Sequence, residues 1–539
     1  MVKNFTVTVI DTAGIQDYIF SSNRLRENIG ASYLVQQATN HWVTEELEKL
    51  WKNAVYVPKG LTKEAAMPRI HQDDDVVAEL MYSGGGNTVL LFKELAYAHK
   101  FMRSWSRKVL EDAPGIRIIA AHKSFEWGEN DLQDKIGELI NGDIAEKKRY
   151  GVASSPLLGL SVTADCNSTR LVAVGMSDEY GAPIDENDHR DQGRYPVSRE
   201  VAKKISIVPN ANKELKDIFS VLPQRLKFPY RFDHLGRSQG DSSYIAVVHA
   251  DGNKMGDRFK KYGKQHRDNA SFIQAFRLLS HDVNRAGIAA LQAVLKEVTN
   301  LIDKNKFKMP HNHPYFPFRP LVYGGDDVTF VCDGRLGLVL AAKYLSEFEE
   351  QPTVDESVSG KLSACAGISI VKVHYPFARA YRLSNSLCNS AKKFIHEQSS
   401  AQGLSALDWH IATAGLLGTL KQIREREYTV EKGHSEERHL TMRPVFLKRE
   451  PNQWRNWDGL QRVVNCFRTD LVWRDRRNKV MALREVLREG PEATQKFLPA
   501  YRLSHLPEFP EAIDTLAKEG WVDETCGYFD AIEAIDFIP

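Results

Sequence analysis

The 539-residue sequence predicts an α+β protein in which one βαββαβ unit occurs twice, and three observations predict it. Phe5–Asp11 and Tyr244–Ala250 are apolar, β-branched runs, each reaching an aspartate, Asp11 or Asp251. A Gly-rich hairpin signature follows each run at the same distance: 73 residues separate Asp11 from Gly84, and 73 separate Asp251 from Gly324. Each unit then closes with a helix, a strand and a second helix ending in Ala-(x)-Lys-Lys. A βαββαβ order with its first strand central is the ferredoxin-like arrangement.

In the first unit, Phe5-Thr-Val-Thr-Val-Ile-Asp11 has the alternation of a strand. Helical periodicity covers about 15–51, with an interruption expected at Gly30-Ala31-Ser32. Met81–Phe92 reads as a strand with a Gly-rich turn before it. A helix at about 94–110, a strand at 116–121 and a helix ending Ala145-Glu146-Lys147-Lys148 complete the unit. In the second, the strand leads into Asp251-Gly252-Asn253-Lys254-Met255-Gly256, and helical periodicity covers about 271–302 with an interruption at Ser280-His281. Arg319–Val331 is strand, turn and strand around Gly324-Gly325-Asp326-Asp327. A helix at 336–349, a strand at 363–371 and a helix ending Ala391-Lys392-Lys393 follow.

These elements place a first domain at 1–150 and a second at 241–412. Residues 151–240, rich in Pro, Gly, Asp and Arg, form a small connecting domain, and 413–539 an α-helical C-terminal domain with Trp454, Trp457, Trp473 and Trp521. Composition is that of a globular protein, 42% hydrophobic and 26% charged,. A net charge of +2 excludes a uniformly basic nucleic-acid binder and leaves room for a local basic groove,. No apolar run approaches the roughly 18 residues of a bilayer span, and the N-terminus lacks the zones of a signal peptide. Six scattered cysteines without a C-x-x-C pair predict neither a disulfide framework nor a zinc ribbon,. The expectation is a cytoplasmic protein with no membrane partner.

The chemistry is in the carboxylates. Asp251 ends a strand, and Asp326 and Asp327 follow a Gly-Gly turn; in a ferredoxin-like sheet these strands are central neighbours. Three carboxylates gathered there would raise one another's pKa unless a cation neutralised them. Mg²⁺, or Mn²⁺ in its place, suits such a set because it takes hard oxygens and the phosphates of a substrate. Two such ions polarise an α-phosphate, activate a 3′-hydroxyl and stabilise leaving pyrophosphate. The plain alternative for Gly324-Gly325-Asp326-Asp327 is an ordinary hairpin turn; Asp251-Gly252-Asn253 at a strand end moves the balance to function.

Gly252, Asn253 and Gly256 would let backbone approach a phosphate at a helix start, or form a simple strand-to-helix turn. Lys392 and Lys393 either reach triphosphate oxygens or end a solvated helix. Gly30 and Ser32 either make a nucleotide contact, since glycine admits close backbone approach, or mark a helix kink. His311-Asn312-His313 and His281-Asp282 have no partner motif and read as structural. The first unit has Gly84-Gly85-Gly86-Asn87 where the second has its acidic pair, so Asp11 stands without the partners needed for two metals.

The series Gly14-Ile15-Gln16-Asp17-Tyr18-Ile19-Phe20, Ser22–Glu27, Gly30-Ala31-Ser32, Asp251–Gly256, Tyr323–Asp327 and Ser363–Ile368 resembles the large palm-domain subunit of type III CRISPR effector complexes. The resemblance covers residues 1 to about 410. It implies two palm domains of nucleotide cyclase-like type and an enzyme that joins ATP 3′–5′ into cyclic oligoadenylates, signals of antiviral defence. It also implies crRNA-guided effector subunits and target RNA as partners. The donor ATP would sit by metals at Asp251, Asp326 and Asp327. The acceptor would lean on the first palm near Ser32, both nucleotides lying between the palms, and Ser280 and Lys392 would touch nucleotide. Two features depart from the family pattern: the palm strand starts at Phe5 with no histidine–aspartate nuclease domain before it, and only Cys166 stands where a cysteine-rich zinc site is expected. DNA cleavage is therefore not expected.

The residues leave other products open, namely a cyclic dinucleotide or a short linear oligomer. A catalytically silent nucleotide-sensing scaffold is a further alternative. A template-directed polymerase would need a basic channel that the sequence does not display.

Overall fold

In a computed structural model, the chain is described at residues 4–58, 60, 62–150, 159–177, 194–223, 225–235, 243–309, 314–398, 403–412, 418–432, 436–451 and 453–539. His311-Asn312-His313 and parts of the connecting stretch lie outside the described residues. Two compact units are formed. One comprises Met1–Ser220, Lys254–Ala286 and Pro352–Gly360; the other comprises Val221–Asn253, Gly287–Gln351 and Lys361–Pro539.

The first unit is built on a five-stranded sheet of β1 (Asn4–Ala13), β2 (Val55–Tyr56), β3 (Ala78–Gly84), β4 (Asn87–Phe92) and β5 (Arg117–Glu126). Their order is β2-β3-β4-β1-β5, so the first strand is central and antiparallel to both neighbours. Phe5, Val7, Val9 and Leu91 form one core with Phe125 and Leu132. Helices α1 (Ile15–Phe20), α2 (Leu25–Gln36), α3 (Trp42–Trp51) and α4 (Leu95–Asp112) follow the expected order. The break in the first helical stretch does not fall where the sequence suggested. α2 runs unbroken through Gly30–Ser32, and the interruption lies at 21–24, where the Ser22 hydroxyl accepts the Arg24 N–H at 3.0 Å and competes with helical bonding,. α5 (Ala145–Arg149) closes the palm, and α6 (Arg199–Ser206) belongs to the connecting stretch.

The second unit contains β6 (Tyr244–Gly252), β7 (Phe318–Val322), β8 (Val328–Asp333), β9 (Ala364–Lys372), β10 (Ala406–Ile411) and β11 (Val445–Phe446), in the order β11-β10-β9-β6-β8-β7. β6 is nearly continuous apolar sequence, Ile245–Ala250, because a central strand is covered on both faces,. In sequence, α7 (Met255–Gly263) and α8 (Asn269–Asp303) follow it, α7 and the part of α8 up to Ala286 belonging to the first unit; α9 (Gly337–Glu349) and α10 (Phe377–Glu397) come next. α8 is continuous across Ser280-His281, contrary to the interruption expected there. Ser and His lie only a few tenths of a kcal/mol below good helix formers, and buried Phe272, Ile273, Ala275 and Leu279 hold the preceding turns. Beyond β10 the chain is mostly helical, with a small four-stranded sheet made from Thr429–Lys432, Glu436–His439, Thr525–Cys526 and Trp521–Val522.

The duplication is visible at the level of single bonds. Ile10 faces Thr88 as Ala250 faces Val328, and Val9 faces Val89 as His249 faces Thr329, a constant offset of 240 residues. The Thr12 N–H donates to the Gly86 carbonyl at 3.2 Å, and the Gly252 N–H donates to the Asp326 carbonyl at 3.2 Å. Gly14 (φ 67°) and Lys254 (φ 52°) occupy the same left-handed position before α1 and α7. The fold is two ferredoxin-like palm domains.

Candidate active site at the end of the second palm sheet

β6 delivers Asp251 as its penultimate residue, and the β7–β8 turn delivers Asp326 and Asp327 beside it. The turn needs glycine at two places: Gly324 and Gly325 have φ of 104° and 84°, which side chains rarely tolerate,. The Gly252–Asp326 backbone bond fixes the turn to the strand end, and the register of β6 with β8 continues directly into the turn.

The two carboxylates of the turn are perturbed. Burial, then the charge of Asp251, pushes Asp326 up to about 6. The same two causes push Asp327 up to about 7. Asp327 keeps 46% of its side-chain surface open on one side while protein crowds the rest, and its Oδ1 accepts no hydrogen bond. His249 on β6 places Nδ1 3.4 Å from that oxygen and 3.2 Å from the Thr329 hydroxyl. Burial pushes His249 down to about 4, so it is neutral near pH 7. Beneath the turn, the Tyr344 hydroxyl is buried without a partner, its pKa raised by burial and then by Asp326 and Asp327.

Asp251 already has a cation. The Lys392 ammonium, on α10, donates to Asp251 Oδ2 at 2.6 Å and to the Gly252 carbonyl at 3.0 Å. Burial works against the lysine charge, but Asp251 outweighs it and the lysine pKa is raised. Lys393 instead pairs with Glu397 at 3.5 Å on the exposed side of the helix.

The donors are hard carboxylate oxygens of the type magnesium takes, and one of them, Asp327 Oδ1, has no hydrogen-bond partner. Among the described residues no group of three or more His, Cys, Asp or Glu side chains stands in position to hold a metal ion. The acidic residues are neighbours, yet they are not closed around a common point.

The remaining predicted residues fall in two classes. Asn253 is engaged in structure: its N–H donates to the Ser363 carbonyl at 2.9 Å, and its amide nitrogen donates to Ser363 Oγ and the Leu404 carbonyl. Gly30, Ser32 and Ser280 belong to the first unit. Gly30 is buried where α2 crosses α6, and a Cβ there would meet the Lys204 carbonyl oxygen at 1.7 Å. Ser280 Oγ is buried without a partner on α8. Asp282 accepts from Arg285 at 3.3 Å and from the Val354 N–H at 2.9 Å, which agrees with the structural reading of His281-Asp282.

Sequence reasoning missed two glycines that position the site. A Cβ on Gly287 of α8 would come 2.5 Å from the Gly325 carbonyl oxygen. One on Gly367 of β9 would meet the Ser384 carbonyl oxygen at 1.9 Å and the Cys388 nitrogen at 2.3 Å, so this glycine seats the helix that carries Lys392. His249 and Tyr344 were missed as well; a polar residue inside an apolar strand was the available signal for His249.

Residues 244–400 match the family model described as Cas10/Cmr2, second palm domain. No curated protein matches the sequence. Among solved structures, a chain of the Csm1-Csm4 cassette in complex with AMPPNP is similar with a TM-score of 0.53 and 14% identity, over 99% of this chain and 70% of that one. The cassette with pppApApA gives 0.51 and 14% over 100% and 70%; the cassette with cA3 gives 0.51 and 13% over 100% and 70%. In the apo Csm1-Csm4 cassette the match covers 73% of this chain and 53% of that one. No helix among the described residues is long and apolar enough to cross a membrane. At these identities the structures establish the fold, and with the family match they make residues 244–400 a second palm domain of the Cas10/Cmr2 type in a chain that resembles the Cas10-like palm subunit of type III CRISPR complexes.

Proposed function

We propose that this protein is a nucleotidyltransferase that joins ATP into cyclic oligoadenylates, with the reaction at Asp251, Asp326 and Asp327. The observation that carries the reading is the gathering of these carboxylates at the end of the central palm strand, where burial, then the charge of Asp251, pushes Asp326 and Asp327 up to about 6 and 7. Perturbed acids in such a place mark functional sites. The similar cassettes were solved with AMPPNP, pppApApA and cA3, which supports adenine nucleotides as substrate and product.

In this reading Asp251, Asp326 and Asp327 hold two Mg²⁺ ions, which when bound supply Lewis acidity at an α-phosphate and lower the pKa of an attacking 3′-hydroxyl. The Gly324-Gly325 turn presents backbone rather than side chain to the nucleotide. Lys392 offers a flexible point charge for a phosphate oxygen. Neutral His249 lies 3.4 Å from Asp327 without adding charge. Gly252, Asn253, Gly30, Ser32 and Ser280 as nucleotide contacts rest on the family likeness, as do crRNA-guided subunits and target RNA as partners.

The test is incubation of purified protein with radiolabelled ATP and Mg²⁺, with and without candidate RNA, followed by mass spectrometry of the products. Cyclic oligoadenylate that disappears in Asp326→Ala is the expected outcome. Absence of any product under every activator, with Asp326→Ala binding ATP as well as the parent, would refute the proposal.

A further inference from the structure

The two palms provide an internal comparison. In the first palm, Lys148 of α5 pairs with Asp11 at 2.5 Å. In the second, Lys392 of α10 pairs with Asp251 at 2.6 Å. Both lysines come from the helix that closes their palm, and both reach the aspartate at the end of the central strand. By register, the residues that correspond to Asp326 and Asp327 in the first palm are Gly86 and Asn87. The lysine–aspartate pair therefore forms without any acidic cluster to attract it. It belongs to the palm scaffold, and the second palm has added two carboxylates beside it.

That addition changes what the lysine does. The two oxygens it holds in the second palm, Asp251 Oδ2 and the Gly252 carbonyl, are hard donors of the kind a divalent ion takes,. Two cations on one carboxylate oxygen repel strongly at such distances. Among the described residues no three carboxylates stand ready around one point, and Asp251 Oδ2 is occupied by the ammonium.

We propose that Lys392 is a resident counter-cation of the acidic site, holding Asp251 while no divalent ion is bound and leaving it when a metal enters. The released ammonium is then free for a nucleotide phosphate. This rests on the reading of Asp251, Asp326 and Asp327 as metal-binding. A lysine that merely organises the carboxylates would act in the opposite sense, since its removal would weaken metal binding.

The test is Mn²⁺ titration of the full chain without nucleotide, followed by electron paramagnetic resonance. The parent should bind Mn²⁺, and Asp326→Ala/Asp327→Ala should not. Parent protein that binds none would overturn the metal-site reading itself. Given a parent that binds, Lys392→Met should bind roughly five-fold tighter, the factor expected from losing a partly exposed ion-pair competitor,. Unchanged or weaker binding would overturn the counter-cation role and leave the metal site standing. Lys148→Met should leave the titration unchanged; an equal gain there would refute the assignment to Lys392. A measurement on the unsubstituted protein guards against misfolding of the variant: acetylation of Lys392, followed by mass spectrometry, should rise at least about two-fold when Mg²⁺ is added, because an amine that loses its carboxylate partner is less firmly protonated. No rise would refute displacement.

Discussion

Replacing Gly287 by alanine tests whether the acidic turn is held by backbone contact. In an open helix interior this change is favourable by about 1 kcal/mol, because alanine is the better helix former. Gly287 is not open: a Cβ there would lie 2.5 Å from the Gly325 carbonyl oxygen and 3.7 Å from the Tyr344 hydroxyl. Ordinary contacts between heavy atoms begin near 3.5 Å, so helix or turn must move by about 1 Å. The residue displaced immediately precedes Asp326. Overpacking of this kind costs about 1–3 kcal/mol, which matches or exceeds the propensity gain; at about 2.1 cal/mol/K per residue, the net loss of up to about 2 kcal/mol lowers the melting temperature of a 539-residue chain by up to about 2 °C,. A 1 Å misplacement of reacting groups costs about 100-fold in rate. Thermal denaturation, Mn²⁺ affinity and ATP turnover are read together on one sample. A Gly287→Ala protein that melts higher and keeps its Mn²⁺ affinity would show that α8 does not seat the turn.

Three further outcomes follow from other contacts. Glu79, wholly buried, accepts from Arg277 at 2.8 Å and from the Arg69 and Ile70 N–H groups, so Glu79→Gln leaves a buried guanidinium without its counter-charge and should destabilise the first unit by about 3–5 kcal/mol in urea denaturation,; a loss below about 1 kcal/mol would count against it. Gly30→Ala should lower the melting temperature despite better helix propensity, because its Cβ would sit 1.7 Å from the Lys204 carbonyl oxygen, and a rise would refute that packing,. Mn²⁺ affinity should fall as pH drops from about 7 to about 6, since Asp326 and Asp327 are raised to about 6 and 7 and a metal must displace their protons; affinity flat from pH 5.5 to 8 in the titration would refute the coupling,.

What was legible in the sequence was written locally. Strand alternation, glycine pairs and the 73-residue spacing depend on neighbours in the chain, and they located Asp251, Asp326 and Asp327 at one sheet end. The α2 interruption was misplaced because glycine was weighed as a helix breaker, whereas Gly30 is there for the close approach of Lys204 and the true break is made by the Ser22 hydroxyl. Gly287 and Gly367 carry no local signal; only the packed backbone 2.5 Å or less away reveals why they lack side chains. The Lys392–Asp251 pair joins residues 141 apart, beyond any periodicity.

The comparison between palms separates what stability requires from what chemistry requires. Both palms keep the strand register, the N–H to carbonyl bond across the hairpin and the lysine on the strand-end aspartate. In the first palm the hairpin tip is closed by Thr12, whose hydroxyl donates to the Gly86 carbonyl at 2.9 Å, and by Ile15, which leaves no room for a Cβ on Gly86. No acid is crowded there, and the sheet end is stable as it stands. The second palm places Asp326 and Asp327 on the same scaffold, where burial and Asp251 disfavour their charged forms. Crowded carboxylates destabilise a fold unless a cation compensates them, and the single ammonium of Lys392 cannot neutralise three. A palm shaped only by folding would look like the first; the second crowds acids that a divalent ion, in the proposed reading, would relieve.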